Sequence, residues 1–202
     1  MAALIDFTQP TLYLSAALIL FNPLFWNVAA RQEYHHKTLT RLVGRGNSLY
    51  ACYALAATIF LLGLFRDAVY ERALRAQPAH PALQGFVPQA VAVALVASGN
   101  VLVLSSMYAL GITGTYLGDY FGILMESMVT GFPFSVTGAP MYWGSTMSFL
   151  GTAVWLGKPA GVGLAALVFV AYRVALGFED PFTAGIYARR ERERRDGSKK
   201  MA

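Results

Sequence analysis

Long apolar stretches constrain this chain more than any other feature. The hydrocarbon core of a bilayer is about 30 Å thick, and a helix needs roughly 20 mostly apolar residues to cross it. Four stretches meet or approach that requirement: Leu12 to Ala30, Ser48 to Phe65, Val87 to Leu110, and Met141 to Phe178. The first is interrupted by Asn22-Pro23. The last is long enough for two helices and carries Gly157-Lys158-Pro159 at its middle. Lys158 and Arg173 are the only charged residues inside these stretches. A water-soluble domain would spread charge over every helix to make polar faces. Here 56% of residues are hydrophobic and 13% are charged, against about 25% charged in soluble domains. The expected fold class is therefore all-α integral membrane, with about four to five membrane-embedded helices.

Several other classes are set aside by the residues that are present. No basic residues precede the first stretch and no clear small-residue cleavage site follows it, so it reads as retained rather than as a signal peptide. Cys52 is the single cysteine, which excludes an intrachain disulfide and a cysteine metal site. Adjacent His35 and His36 do not share a helix face, and no metal site is expected. A single membrane domain over 1–188 is expected, followed by a basic tail over 189–202.

Lys and Arg mark the cytoplasmic side of a membrane protein. Arg31, Lys37, Arg41 and Arg45 follow the first stretch. Arg66, Arg72 and Arg75 follow the second and are offset by Asp67 and Glu71. The connection after the third stretch carries no Lys or Arg, and the tail runs from Arg189 to Lys200. If Met141–Phe178 forms a helical hairpin, the tail and the first and third connections share the cytosolic side, and the basic count inside is the larger one. The competing layout lays the first stretch in the membrane plane, because Asn22-Pro23 breaks a helix ladder, and lets the fourth stretch span once. Both layouts put the C-terminus in the cytosol. Lys199-Lys200 at the end of the chain look like a dilysine retrieval signal for the endoplasmic reticulum. Their plain reading is a basic tail that also binds anionic lipid.

Candidate chemistry lies in ionisable residues beside apolar sequence, where charge is costly and usually functional. These are Asp119, Glu126, Glu179 and Asp180. The pair Glu179-Asp180 follows the last apolar stretch directly and is flanked by Phe178 and Phe182. Two adjacent carboxylates at a boundary can hold a diol, an amine or a cation; the plain reading is a solvated helix end. Gly114, Gly118 and Gly122 recur every four residues and would form a smooth helical stripe. Such a stripe serves either close helix packing or the approach of a flat cofactor. Tyr116, Tyr120, Tyr142 and Trp143 crowd the third connection. Interfacial anchoring accounts for aromatics of this kind, and their faces also stabilise cations.

Motifs along nearly the whole chain resemble the phosphatidylethanolamine N-methyltransferase family. They are Asn22-Pro23-Leu24-Phe25-Trp26-Asn27, Leu102-Val103-Leu104-Ser105-Ser106, Leu117-Gly118-Asp119-Tyr120-Phe121-Gly122, Phe132-Pro133-Phe134, Pro140-Met141-Tyr142-Trp143-Gly144-Ser145 and Glu179-Asp180-Pro181-Phe182-Thr183-Ala184. In size the chain resembles the fungal branch of that family. A broader likeness links the C-terminal half, as a helical hairpin, to the isoprenylcysteine carboxyl methyltransferases. This chain has Gly138-Ala139 where those enzymes have Arg-His, which argues against that branch.

The family resemblance implies methylation of a phospholipid head-group nitrogen by S-adenosylmethionine, yielding phosphatidylcholine from the monomethyl and dimethyl lipids. It implies cofactor contacts at Ala97-Ser98-Gly99, where the family has Gly-x-Gly, and at Glu179-Asp180. Glu126, Asp119 and Tyr142 are candidate bases, with Glu126 preferred because an apolar setting would raise its pKa. Tyr116, Tyr120 and Trp143 are expected at the lipid nitrogen, where cation–π attraction tolerates successive methylation because it needs no N–H donor. The expected partners are a bilayer phospholipid and the membrane, with no nucleic acid. The oligomeric state stays open. The expected location is the endoplasmic reticulum membrane, with a mitochondrial membrane as a second site. An isoprenylcysteine-type carboxyl methyltransferase and a non-catalytic transporter or scaffold are the alternatives. Trypsin added to sealed microsomes is expected to remove the chain beyond Arg189, and a fully protected C-terminus would reverse the orientation.

Overall fold

Each apolar stretch becomes a helix whose ends are set by residues that cannot continue one. The computed structural model describes residues 3–200, with side chains described for 3–196. It contains α1 (Pro10–His36), α2 (Thr38–Leu42), α3 (Ser48–Arg75), α4 (Phe86–Thr115), α5 (Pro140–Trp155) and α6 (Pro159–Lys200), with 3₁₀ turns at Pro81–Leu83 and Gly118–Phe121. No strand occurs among the described residues. Proline, whose fixed φ suits a helix start and whose missing N–H costs nothing there, is the first residue of α1, α5 and α6. The Asn47 side chain caps α3 by accepting from the backbone N–H of Leu49 at 2.9 Å. Such a cap satisfies an otherwise orphaned donor.

Helices α1, α3 and α6 and the α4 segment are long and apolar enough to cross a membrane. Helix α5, with 16 residues, is about 24 Å long at the usual rise per residue. It forms the expected hairpin with α6. The helices pack in the order α3, α1, α6, α5, α4, so α6 lies between α1 and α5. Large apolar side chains point outward along the bundle, among them Leu24, Phe60, Leu61, Val101, Leu104 and Val170. In water this surface would be penalised by about 25 cal/mol per Å²; in lipid it is the required exterior.

One core links Ile19 of α1, Tyr70 and Leu74 of α3, Phe149 of α5 and Val168 of α6. At the other end, Ala30, Cys52, Leu55, Tyr120 and Phe121 form a second cluster. Helix α4 joins the bundle through small residues. A Cβ on Gly99 would lie 2.5 Å from the Gly144 carbonyl oxygen, and one on Gly144 would lie 2.5 Å from the Gly99 carbonyl oxygen. A Cβ on Gly151 would meet Val96 at 2.7 Å. Small residues let two backbones approach closely where lipid removes the hydrophobic drive for helix association.

The two ends of the bundle are pinned differently. At one end the Lys158 ammonium donates to the Gln77 carbonyl, and the His80 N–H donates to the Gly157 carbonyl at 2.9 Å. Gln77 exchanges two hydrogen bonds with the Asp6 backbone, while Thr8 and Gln9 donate to the Asp6 carboxyl and hold it below the ordinary carboxylate range. Lys158 therefore sits at the hairpin tip, tied to the end of α3. At the other end, buried Glu33 accepts from the Thr40 N–H at 3.0 Å and from the Thr40 hydroxyl, locking α1 to α2.

Within the bundle the structure bears out the hairpin layout and departs from the sequence reading at Arg66 and at the glycine stripe. Helix α1 runs unbroken through Pro23, which favours the hairpin layout over an in-plane first segment. Asn27 donates to the Pro23 carbonyl and Asn22 to the Leu62 carbonyl. Arg66 lies inside α3 and is buried, not in a connection. The glycine stripe does not form. Gly111 leaves helical geometry at φ 64°, Gly118 opens a 3₁₀ turn and Gly122 sits at φ 81°. Beyond residue 188, α6 continues as helix, with Arg189–Glu193 and Arg195–Glu191 pairs one turn apart. The side chains of Lys199 and Lys200, and residues 201–202, lie outside what is described. Gly144→Val should separate α4 from α5 and cost about 1–3 kcal/mol as overpacking. Thermal unfolding in detergent should show a lowered midpoint, and an unchanged midpoint would remove the glycine contact from the helix seam.

Candidate active site

Because α6 lies between α1 and α5, a polar group on it can be met from both sides. Glu179 is that group. The Trp26 indole and the Asn27 amide of α1 donate to its Oε1 at 2.7 Å each. The Tyr142 hydroxyl of α5 donates to its Oε2 at 2.5 Å. Three donors from two helices thus hold one half-buried carboxylate. Hydrogen bonds to an ionised acceptor are about twice as strong as neutral ones. Asp180 follows on the exposed side of α6.

An aromatic wall backs the carboxylate. The Tyr142 ring lies 4.7 Å from Tyr172 and 6.4 Å from Trp26, and Trp26 lies 6.3 Å from Tyr172. The Tyr172 hydroxyl accepts from buried Arg66 at 2.7 Å and shares a hydrogen bond with Ser145 at 3.2 Å. Arg66 also pairs with Asp67 and lies over the Phe149 ring at 4.8 Å. Two residues past Glu179, Pro181 lacks the N–H that would close the helix onto Gly177. Beside this gap, the Phe178 carbonyl accepts from Arg31 of α1 at 2.8 Å, and the Arg31 guanidinium lies 4.6 Å from the Phe182 ring centroid.

The residues singled out from the sequence divide by place. Tyr142 and Glu179 are in direct contact. Tyr120 is buried and stacks on Phe182 at 5.0 Å. Asp119 is half-buried in the same turn, and Tyr116 stands half-buried just before it. The Tyr187 hydroxyl accepts from the Met125 N–H at 3.3 Å, and Arg190 donates to the Met125 carbonyl, so α6 fastens the start of the third connection. Glu126 is exposed on that connection, without the apolar enclosure expected for it. Trp143 faces outward and lies 5.4 Å from Phe169.

Ala97-Ser98-Gly99 is not brought to the carboxylate. Gly99 packs against Gly144 and Ser148, while Tyr142 packs against Trp26 and Tyr172. These contacts lie on different faces of α5. Ala97 and Ser98 are exposed, and Ala97 lines an apolar groove with Val93 and Trp155. Sequence reasoning did not place Trp26, Asn27, Arg31, Arg66 or Tyr172 in a site. Asn27 inside an apolar run was the available signal.

With the geometry in hand, comparison with known proteins becomes specific. Residues 87–190 match the family model described as phospholipid methyltransferase. The chain belongs to the phospholipid methyltransferase family. It is 62% identical to the phosphatidyl-N-methylethanolamine N-methyltransferase of Neurospora crassa, over 94% of this chain and 88% of that one. It is 53% identical to the protein of the same name in Saccharomyces cerevisiae, covering 95% and 92%. The human phosphatidylethanolamine N-methyltransferase is 44% identical, covering 98% and 96%. No solved structure matches. Within this family member, the hydroxyl of Tyr172 is a buried partner of Arg66. Tyr172→Phe should cost about 1–3 kcal/mol, because it leaves a buried donor unpaired. The check is the unfolding midpoint in detergent, and no loss would mean that Asp67 alone satisfies Arg66.

Proposed function

We propose that the chain methylates phospholipid head groups, taking monomethyl- and dimethyl-phosphatidylethanolamine to phosphatidylcholine with S-adenosylmethionine as methyl donor. The observation that carries this reading is the Glu179 carboxylate, held by Trp26, Asn27 and Tyr142 inside an apolar bundle. The names of the relatives support the reaction class.

The residues present fit a cationic, hydrogen-bonding ligand. A carboxylate accepts about four hydrogen bonds, and three reach Glu179 from the protein. The Asn27 Oδ1 is buried without a partner. Asp180 adds an exposed carboxylate beside them. Glu179, Asp180 and the Asn27 carbonyl are the groups proposed to hold S-adenosylmethionine, through its ammonium or ribose hydroxyls. When bound, the cofactor supplies an electrophilic methyl group on a sulfonium.

The chain's own work is positioning and proton handling. An ammonium has no lone pair, so the head-group nitrogen must lose a proton before it reacts. Tyr142 and Glu179 form the proposed relay: the phenol oxygen takes the proton from nitrogen as its own proton passes to the carboxylate. Such general base help contributes about 10²–10⁴-fold. Asp119, half-buried nearby in sequence to Tyr120, is the second candidate. Glu126 loses first place because it is exposed. Aromatic faces of Tyr142 and Trp143 suit a nitrogen that stays cationic as it gains methyl groups, and Tyr116 and Tyr120 are proposed to close the aqueous side. Gly99 is proposed to serve the α4–α5 contact and only through it the site.

Arg31, the residues of α2 and the second half of α6 gather at one end of the bundle, which supports a cytosolic C-terminus. The endoplasmic reticulum remains the proposed membrane, and 189–202 its proposed cytosolic extension. The deciding experiment is radiolabelled methyl transfer by the detergent-purified chain to unmethylated, monomethyl and dimethyl lipids. Methylation of the last two is expected. Glu179→Gln should weaken S-adenosylmethionine binding at least about tenfold, since it removes a charge-assisted contact, while Glu126→Gln should retain activity. Unchanged cofactor affinity in Glu179→Gln would return that carboxylate to a packing role.

A further inference from the structure

Arg173 is a cation on the lipid-facing side of an apolar helix, and the Tyr142–Glu179 relay gives it no use. It is exposed on α6 and makes no hydrogen bond or ion pair among the described residues. Its surroundings are not those of a free surface arginine. A narrow crevice between α5 and α6 is lined by Tyr142, Trp143, Phe169, Tyr172 and Arg173. Trp143 and Phe169 are 42% and 37% exposed, so the crevice opens sideways. Its inner wall includes Tyr142, whose hydroxyl donates to Glu179. The crevice therefore places an unpaired guanidinium at the lipid face beside Tyr142, the phenol that is bonded to Glu179.

We propose that Arg173 binds the phosphodiester of the lipid substrate and thereby sets how far the head-group nitrogen reaches along α6. This rests on the phospholipid methylation proposed above and adds its anion-recognition element. A guanidinium presents a planar fork of donors that matches phosphate oxygens in pairs. An intramembrane charge is expensive without a partner, and a lipid phosphate held at this depth would supply one. Six residues separate Arg173 from Glu179, about 9 Å along a helix axis. The ethanolamine linker spans from the phosphate towards the nitrogen in the same direction, past Tyr142. Phe169, beside Arg173 and partly exposed, suits the glycerol and upper acyl region, while Tyr142 and Trp143 face the nitrogen. An arginine that merely snorkels to the interface would be indifferent to the charge of one bound lipid, and this separates the two roles.

The test measures kcat and KM in mixed micelles for the wild type, Arg173→Gln and Arg173→Lys. The substrates are monomethyl-phosphatidylethanolamine and its neutral phosphate methyl triester. Arg173→Gln should raise the lipid KM at least about tenfold, the loss of a charge-assisted contact, with S-adenosylmethionine affinity unchanged. Arg173→Lys should recover part of it, because an ammonium keeps the charge but not the fork. On the triester, wild type and Arg173→Gln should have equal KM. Equal KM on the diester, a penalty that persists on the triester, or lost cofactor affinity would each overturn the assignment. Should Arg173→Gln fail to fold, the Arg173→Lys diester-to-triester ratio decides: a ratio unchanged from wild type sinks the proposal. A wild type that methylates neither lipid would instead sink the underlying function.

Discussion

A carboxylate on a helix that crosses lipid has to be supplied with donors by the helices beside it. Glu179 is half-buried, so its buried side cannot rely on water, and an unpaired buried charge is costly. Glu179 meets this demand from both flanks, with Trp26 and Asn27 on α1 and Tyr142 on α5. The consequence is geometric. Helix α1 must turn its Trp26-Asn27 face towards α6, and α5 must turn its Tyr142 face the same way. The Arg66–Tyr172–Ser145 chain repeats the device closer to the hairpin tip, tying α3 and α5 to α6. Polar cross-links set the rotation of four helices whose apolar surfaces have little preference of their own.

Helix α4 is held by a different interaction. Its seam with α5 is made from glycine backbone in contact with glycine backbone at Gly99 and Gly144. Close packing does the work that water exclusion does in soluble proteins. The two faces of α5 thus have separate duties: one carries small residues towards α4, the other carries Tyr142, Ser145 and Phe149 towards the core. This division keeps the carboxylate cluster among α1, α5 and α6. It also leaves the crevice beside Trp143 open to the bilayer, which suits a substrate that arrives from the side. At the other end of the cluster, Pro181 interrupts the α6 ladder and Arg31 reaches in.

Much of this was legible in the residues. Apolar length located the spans, and Gly157-Lys158-Pro159 located the hairpin turn, because neither a lysine nor a proline continues an apolar helix cheaply. Glu179 and Tyr142 stood out as polar groups against apolar flanks. Arg66 was misread as a connection because charge was taken to end a span; a buried phenol and a neighbouring carboxylate keep it inside α3. The Gly114–Gly118–Gly122 stripe was a periodicity without a helix to carry it, since Gly111 had already left the helical region. Glu126 looked enclosed from its neighbours along the chain, yet those neighbours form a connection and not a wall.

By itself the sequence determined the class of solvent, the number of long helices, the hairpin and the family, because each depends on composition and order along one strand of chain. Only the tertiary structure decided which polar groups meet. Trp26 and Glu179 are 153 residues apart, and no local pattern encodes that one donates to the other. It also decided that Gly99 faces a helix and not the carboxylate, and that Arg173 shares a crevice with Tyr142. Those outcomes follow from how each helix is rotated about its axis. That rotation is set by cross-helix hydrogen bonds and by backbone contact through glycine, which exist only once the bundle has closed.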